Sequence, residues 1–105
     1  MERLRLLLEY RCFPVWIYSE DGEIIDNGLP EQFSKNTKLE SLCSMIQEEF
    51  DSHYTNDGIV FQYNNFSNTS EIEQFSKKVE EMEKILREEC RGNYEVINDI
   101  DFEGL

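Results

Sequence analysis

The residues best suited to chemistry are one histidine, His53, and three cysteines, Cys12, Cys43 and Cys90. His53 lies two residues after Asp51, but on a helix such positions point in different directions, so a His–Asp pair is not expected. The cysteines are far apart and form no CxxC pair, and their spacing with His53 matches no zinc pattern. We therefore predict a protein that is not an enzyme, has no metal or other cofactor, and keeps free thiols in a reducing compartment. The alternatives are an enzyme that uses His53 with a cysteine, and a zinc site from the same four residues.

The charge of the chain narrows the classes of partner. Acidic residues outnumber basic residues by 23 to 10, which gives a net charge of −13 and a pI near 4.3. Such a chain repels nucleic-acid phosphates and anionic membrane surfaces, so we expect it to bind neither. Long-range attraction favours a basic protein as partner. The alternative is that the charge serves solubility alone.

Two groups of carboxylates are candidates for binding such a partner. One surrounds the turn of a predicted hairpin, and the other follows alternate positions of the last predicted strand, about 7 Å apart on one face. The second group has two other interpretations: pairing with arginines of a neighbouring strand (Arg3, Arg5 and Arg11), or a solvated edge that resists aggregation. The candidate partner-binding residues are Glu20, Asp21, Glu23, Asp26, Glu95, Asp99, Asp101 and Glu103.

The first element that must position these groups is a hairpin over residues 4–27. Its arms are predicted to be two long strands that fold on the turn at residues 20–23, because Asp21-Gly22 between apolar runs is a strong hairpin signal. Pro14 lacks a backbone donor and predicts a bulge or break in the first arm. Alternation places Leu4, Leu6, Leu8 and Tyr10 on one face of that arm, and Arg3, Arg5, Leu7, Glu9 and Arg11 on the other.

Two helices follow from apolar spacing and capping signals. Residues 37–40 and 70–73 each read as a capping box, with Thr37 and Ser70 as the capping residues. The first helix should run for roughly four turns and stop at residues 56–58. The three- and four-residue spacing predicts two buried stripes. They are Leu39, Leu42, Cys43, Ile46 and Phe50 in the first helix, and Ile72, Phe75, Val79, Met82 and Leu86 in the second.

Residues 59–66 and 94–102 are predicted to be the remaining strands. The order strand, strand, helix, strand, helix, strand predicts one α+β domain over residues 1–105. In it a mostly antiparallel sheet of about four strands carries two helices on one face. No signal peptide and no apolar run of about 18 residues is present, so we expect a cytoplasmic protein.

The hairpin and the last strand also carry a resemblance. The hairpin has the pattern W-x-Y-x-x-D-G-x-x-I-D, formed by Trp16, Tyr18, Asp21, Gly22, Ile25 and Asp26. The sequence L-P-E follows at residues 29–31, and D-I-D-F lies at residues 99–102. These features, about a third of the chain, resemble small acidic proteins of Gram-positive bacteria, mostly uncharacterised or grouped with the immunity proteins of polymorphic toxin systems.

The resemblance implies a cytoplasmic inhibitor that binds a cognate toxin tightly, and it brings no functional residues with it. An acidic inhibitor suits the cationic cleft of a nuclease toxin. The alternative function is a general interaction or adaptor module, such as a homodimer, that uses the apolar surface near Trp16 and Tyr18.

Overall fold

The computed structural model describes residues 1–56 and 61–105. In these residues the chain forms six strands, two α-helices and one short 3-10 helix. The strands are β1 (Glu2–Leu6), β2 (Val15–Tyr18), β3 (Ile24–Asn27), β4 (Tyr54–Asn56), β5 (Phe61–Tyr63) and β6 (Tyr94–Asn98). The α-helices are α1 (Thr37–Asp51) and α2 (Thr69–Glu89), and the 3-10 helix is Glu31–Phe33.

The main sheet has the strand order β3-β2-β1-β6. The β1–β2 and β2–β3 pairs are antiparallel, whereas β1 and β6 are parallel. Strand β1 is therefore central, and its partner β6 comes from the far end of the sequence. This mixed but mostly antiparallel sheet with two helices confirms the predicted α+β class.

The hydrophobic core lies between one face of the sheet and both helices. Leu4 and Leu6 of β1 are fully buried, and they belong to one cluster with Val15, Ile17 and Val96 of the neighbouring strands. The predicted stripes of both helices join this cluster; all their residues are buried except Ile72, which is partly exposed. Burial of these side chains supplies the main driving force for folding.

The first arm of the predicted hairpin is not one strand, and that part of the prediction was wrong. Residues 7–14 leave the sheet, and β1 pairs with β2 so that Leu6 lies opposite Val15. Arg11 has a φ of 59° in this loop, and the amide of Leu7 donates to the Pro14 carbonyl at 3.1 Å. The predicted break at Pro14 is confirmed. It is the end of a loop over residues 7–14 that reverses the direction of the chain between β1 and β2.

The turn at residues 20–23 is confirmed. The amide of Ser19 donates to the carbonyl of Glu23 at 2.8 Å, and Gly22 has a φ of 87°. Glycine suits this position because other residues rarely adopt a positive φ.

The helix boundaries differ from the capping-box prediction. Asn36 caps α1 and Asn68 caps α2, each with a side-chain oxygen that accepts from a free helix amide. Thr37 is instead the first residue of α1. Asparagine is as good an N-cap as serine or threonine, so Asn36 caps α1 one position before Thr37, and Asn68 caps α2 two positions before Ser70. Helix α1 also ends at Asp51, before the stop predicted at residues 56–58. Residues 57 and 58 of that predicted stop lie outside the described residues.

The last two predicted strands are shorter than expected. The strand predicted at residues 59–66 is β5, which pairs with β4 in a separate two-stranded sheet; residues 59 and 60 lie outside the described part. Strand β6 ends at Asn98, not at residue 102. The side chain of Asn98 accepts from the amide of Ile100 at 3.0 Å, a turn that diverts the backbone from the sheet. No helix in the described ranges is long and apolar enough to cross a membrane.

Candidate functional site

The predicted acidic group at the hairpin is present as an exposed corner of the molecule. Glu20, Asp21, Glu23 and Asp26 are all exposed around the β2–β3 turn and on the edge strand β3. The amino group of Met1 hydrogen-bonds to Glu20 and lowers the pKa of that carboxyl. The structure therefore places all four residues on the exposed surface of the β2–β3 hairpin.

The second acidic group is divided. Because β1 and β6 are parallel neighbours, Arg3 Nε lies 3.4 Å from Glu95, and Arg5 Nε lies 2.6 Å from Oδ2 of Asp99. Arginine pairing, one of the interpretations left open, is therefore present for Glu95 and Asp99.

The other members of that group do not join them on a strand face. Asp101 and Glu103 lie beyond the end of β6, and Oδ1 of Asp101 accepts from the amides of Glu103 and Gly104 at 3.0 and 3.3 Å. Arg11, the third arginine considered, donates its backbone amide to Asp51 instead. The expected row of evenly spaced carboxylates is wrong because the strand ends before it is complete.

His53 lies between α1 and β4 in the sequence, and its ring contacts residues just before α2 and in its first turn. Its ring stacks on Phe66 with 3.7 Å between centroids, and its Nδ1 lies 3.1 Å from the carbonyl oxygen of Asn64. Its Nε2 lies 3.0 Å from Oε1 of Glu71, whose other oxygen accepts from the hydroxyl of Ser67. Both ring nitrogens thus contact acceptors, and neither contacts a thiol.

The three cysteines are free thiols. Cys43 is fully buried, which raises the pKa of its thiol to about 12, and burial also raises the pKa of Cys12. A thiol with so high a pKa is a poor nucleophile near neutral pH. Within residues 1–56 and 61–105, no three His, Cys, Asp or Glu side chains lie close enough together to hold a metal ion.

A surface that the sequence did not predict lies where β4 and β5 meet the loop after β1. Tyr10, Tyr54 and Phe61 form a group of three rings, which we call the aromatic cluster. Tyr10 lies 4.6 Å from Tyr54 and 5.0 Å from Phe61, and the rings of Tyr54 and Phe61 stack at 5.1 Å. Phe61 is 56% exposed. Large exposed aromatic residues of this kind often carry much of the binding energy at protein interfaces.

Charged groups surround the aromatic cluster. Burial, and then the carboxylates of Glu9 and Asp51, raise the pKa of Tyr54. The guanidinium of Arg11 lies 5.3 Å from the centre of the Tyr10 ring. The cluster therefore combines apolar area with two carboxylates and one arginine.

A cavity of about 270 Å³ borders the aromatic cluster at Tyr54, and we call it the tyrosine cavity. The residues that line it include Phe50, Tyr54, Tyr63 and Ile100, together with the exposed Asp99 and Asp101. The hydroxyl oxygen of Tyr63 is buried and has no hydrogen-bond partner among the described residues.

A wider cleft of about 700 Å³ lies at the start of α1. Lys35, Lys38 and Arg91 line it together with polar side chains. Its charged residues are mainly basic, so it does not suit the basic partner that the net charge favours.

Comparison of the sequence with known proteins identifies its family. A family model described as Serratia CdiI immunity protein-like matches residues 2–99. The chain belongs to this family. No curated protein matches the chain.

Membership of the Serratia CdiI immunity protein-like family confirms the resemblance to immunity proteins of toxin systems. The matched span contains every described strand and helix, and it includes the aromatic cluster; Asp101 lies just beyond it. The Gram-positive distribution suggested by the sequence stays a prediction.

Sequence reasoning missed the aromatic cluster for a definite reason. Tyr10 was expected within a continuous strand, and Tyr54 at the end of the first predicted helix. The available signal was the density of aromatic residues after α1, where Tyr54, Phe61, Tyr63 and Phe66 follow within a short span.

Proposed function

We propose that this protein is a non-enzymatic, cytoplasmic immunity protein that neutralises a cognate toxin by binding it. The observation that carries the proposal is the match of an immunity protein-like family to residues 2–99. A protein partner is what such a family implies. The contacts of His53 with Asn64 and Glu71, together with the high pKa of Cys43, support a binding role over catalysis.

The partner is proposed to be a basic toxin domain, for which a nuclease is the leading candidate. A net charge of −13 speeds the encounter with a basic protein and disfavours other partners. Nuclease clefts must attract phosphates, so they are positively charged and complementary to this surface.

The proposed contact surface includes both predicted acidic groups. The hairpin carboxylates of Asp21, Glu23 and Asp26 lie in no ion pair among the described residues, so they can pair with a partner at little loss. Glu95 and Asp99 already contact arginines, and a partner must compete with those contacts. We therefore expect a charge reversal at the hairpin to slow association more than one at Glu95.

Co-expression with a toxin domain that is encoded beside this gene tests the function. We expect the protein to restore growth of cells that produce the toxin and to form a stable complex with it on a sizing column. Loss of toxin activity only when the two proteins are bound would support stoichiometric inhibition. If neither protection nor a complex is observed, the proposed function is wrong.

A second candidate is a general interaction module that forms homodimers. The observation that favours it is the exposure of Ile24 and Ile25, at 58% and 52%, on the edge strand β3. An exposed edge strand can pair with a second chain. The surface near Trp16 and Tyr18 supports this less, because Trp16 donates to the Leu7 carbonyl and Tyr18 lies under the Arg5 guanidinium. Light scattering of the wild type and of Ile24→Lys decides: a strict monomer in both removes this candidate.

A further inference from the structure

We propose that His53 is a pH-dependent clamp between two parts of the fold. In its doubly protonated form it ties the two-stranded sheet of β4 and β5, which we call the β4–β5 ribbon, to the first turn of α2. Loss of one proton releases the ribbon. Because the ribbon carries Tyr54 and Phe61 of the aromatic cluster, the clamp also determines how firmly that surface is held.

Both ring nitrogens of His53 face oxygen atoms. Nδ1 lies 3.1 Å from the carbonyl oxygen of Asn64, which can only accept a hydrogen bond. Nε2 lies 3.0 Å from Oε1 of Glu71. A neutral imidazole has one N–H group and one lone pair, so it can donate to only one of these two acceptors. The imidazolium cation has two N–H groups and fits both contacts.

The partner carboxyl, that of Glu71, is ionised in this arrangement. Its Oε2 accepts from the hydroxyl of Ser67 at 2.8 Å, and the hydrogen bonds from Ser67 lower the pKa of the carboxyl. A negative charge is also favoured in the first turn of a helix, where the backbone amides are free. The proton between His53 and Glu71 therefore belongs to the imidazole ring, and the contact is a charge-assisted hydrogen bond.

The packing around the ring fixes its orientation. The His53 ring stacks on Phe66 with an interplanar angle of 9°, and the His53 side chain is only 12% exposed. Aromatic faces attract cations, so this stack suits the protonated ring. Phe66 is itself buried, with its ring centroid 5.0 Å from that of Phe75. The ring cannot turn away from its two acceptors without losing this packing.

The neighbouring elements contribute other groups that carry or change charge. On the facing sides of α1 and α2 and in the described part of the ribbon, these are Glu49, Asp51, Glu71, Lys78, Tyr54 and Tyr63. Lys78 pairs with Glu49 at 2.6 Å, and Asp51 accepts from a backbone amide of the β1–β2 loop. Burial raises the pKa of both tyrosines, away from neutral pH. The type of side chain in this region whose charge ordinarily changes between about pH 5 and 8 is the histidine.

The two contacts of the ring predict which proton is lost. The N–H group at Nε2 faces an ionised carboxylate, whereas the N–H group at Nδ1 faces a neutral carbonyl, and the charged partner makes the stronger hydrogen bond. Nδ1 therefore loses its proton, and its lone pair then faces the carbonyl of Asn64. The same residue closes the base of the ribbon, since the Asn64 amide donates to the His53 carbonyl at 2.6 Å. The ribbon is thus held at low pH and released as the pH rises.

Nitrogen NMR of the ring tests the protonation states directly, because His53 is the only histidine in the chain. The ring ¹⁵N shifts distinguish the imidazolium from each of the two neutral tautomers. We expect protons on both nitrogens at about pH 5.5 and the tautomer protonated at Nε2 at about pH 8.5. A neutral ring at the lower pH, or a proton on Nδ1 at the higher pH, would overturn the proposal.

Hydrogen exchange measures the release of the ribbon. The protection factor of the Asn64 amide, corrected for the intrinsic exchange rate, should fall about fivefold or more between about pH 5.5 and about pH 8.5. Glu71 is ionised at both values, because its pKa lies below 4.5. The amide of Ile46 in α1 should keep its protection within about twofold, because the clamp acts on the ribbon. Equal protection of Asn64 at the two pH values, or an equal fall at Ile46, would show that no such clamp exists.

Three variants separate the clamp from general effects of pH. His53→Phe keeps a ring that stacks on Phe66 but has no N–H group, so the protection of Asn64 should be low at both pH values. In Glu71→Gln no carboxylate selects the Nε2 proton, so a neutral ring can donate to Asn64 through Nδ1, and the change with pH should shrink to less than about twofold. Glu40→Gln removes the same charge from the exposed first turn of α1 and should keep the full change. The wild-type change in His53→Phe or in Glu71→Gln, or its loss in Glu40→Gln, would contradict the assignment of the clamp to His53.

Discussion

Asn27 at the end of β3 joins three segments of the chain, and its removal tests how the loop at residues 7–14 is held. Its Oδ1 accepts from the amide of Phe13 at 2.9 Å. Its Nδ2 donates to the carbonyls of Phe13 and Val15 at 2.7 and 3.0 Å. The Val15 carbonyl also accepts from the amide of Gly28, so it keeps a partner when Asn27 is replaced.

The expected cost follows from these contacts. Each hydrogen bond contributes about 1 kcal/mol net, and a buried group left without a partner costs about 1–3 kcal/mol. Asn27→Ala removes three bonds, but only the two backbone groups of Phe13 lose the one partner that each has among the described residues. We expect the free energy of unfolding to fall by about 2–3 kcal/mol, a large part of the 5–15 kcal/mol of a typical domain.

Urea unfolding at neutral pH, followed by circular dichroism, measures the effect. For a domain of this size the expected loss lowers the urea midpoint by about 1–2 M. Asn98→Ala is the matched control, because it removes a single exposed hydrogen bond and should cost about 0.5–1 kcal/mol. Asn27→Asp keeps the Oδ1 acceptor but sets a carboxylate against two carbonyls, so it should be no more stable than Asn27→Ala. A loss below about 0.5 kcal/mol in Asn27→Ala would refute this account of the loop.

Three further predictions concern the helices and a thiol. In urea unfolding, Asn36→Ala should lower the free energy of unfolding by about 1 kcal/mol, and Thr37→Ala should lower it by much less. A larger loss in Thr37→Ala would show that Thr37, not Asn36, is the N-cap. Hydrogen bonds from Ser67, and then the charge of His53, lower the pKa of Glu71 from its usual value of 4.5. The ionised carboxylate therefore stabilises the fold above pH 4.5, and this stabilisation is lost as the pH falls below that value. Urea midpoints of the wild type and Glu71→Gln should accordingly differ at pH 7 and converge in acid; a constant difference would contradict the lowered pKa. Cys43 should not react with thiol reagents at pH 8 until the protein unfolds, as measured by mass spectrometry. Rapid labelling of Cys43 in the native protein would contradict a pKa of about 12 for its thiol.

The periodic parts of the fold were predictable from the sequence. The buried stripe of α1, from Leu39 to Phe50, follows from apolar spacing alone, since a helix in a small domain must bury one face. The turn at Gly22 is likewise local, because it depends on the φ angle of a single residue. Such features need no knowledge of distant neighbours.

The features that the sequence could not predict depend on contacts between distant segments. Whether Arg5 meets Asp99 depends on β1 and β6 being neighbours, and alternation within a strand does not reveal its neighbours. The aromatic cluster forms because the loop at residues 7–14 brings Tyr10 to Tyr54. The nearly continuous apolar sequence there predicted an unbroken strand, so the loop was not expected. The hairpin acids were found because they are local, and the tyrosine cavity was missed because its walls come from four separate regions of the chain.

The pairing of β1 with β6 has a consequence for the time at which the fold can be completed. The two partners Arg3 and Glu95 are 92 positions apart, so the central strand emerges from the ribosome long before its neighbour exists. At about 5–20 residues per second, synthesis of the intervening segment takes on the order of 5–20 s. During that interval one edge of β1 remains open in the nascent chain, and closing so long a loop slows the final step further. The main sheet therefore cannot be complete until the last strand has been synthesised.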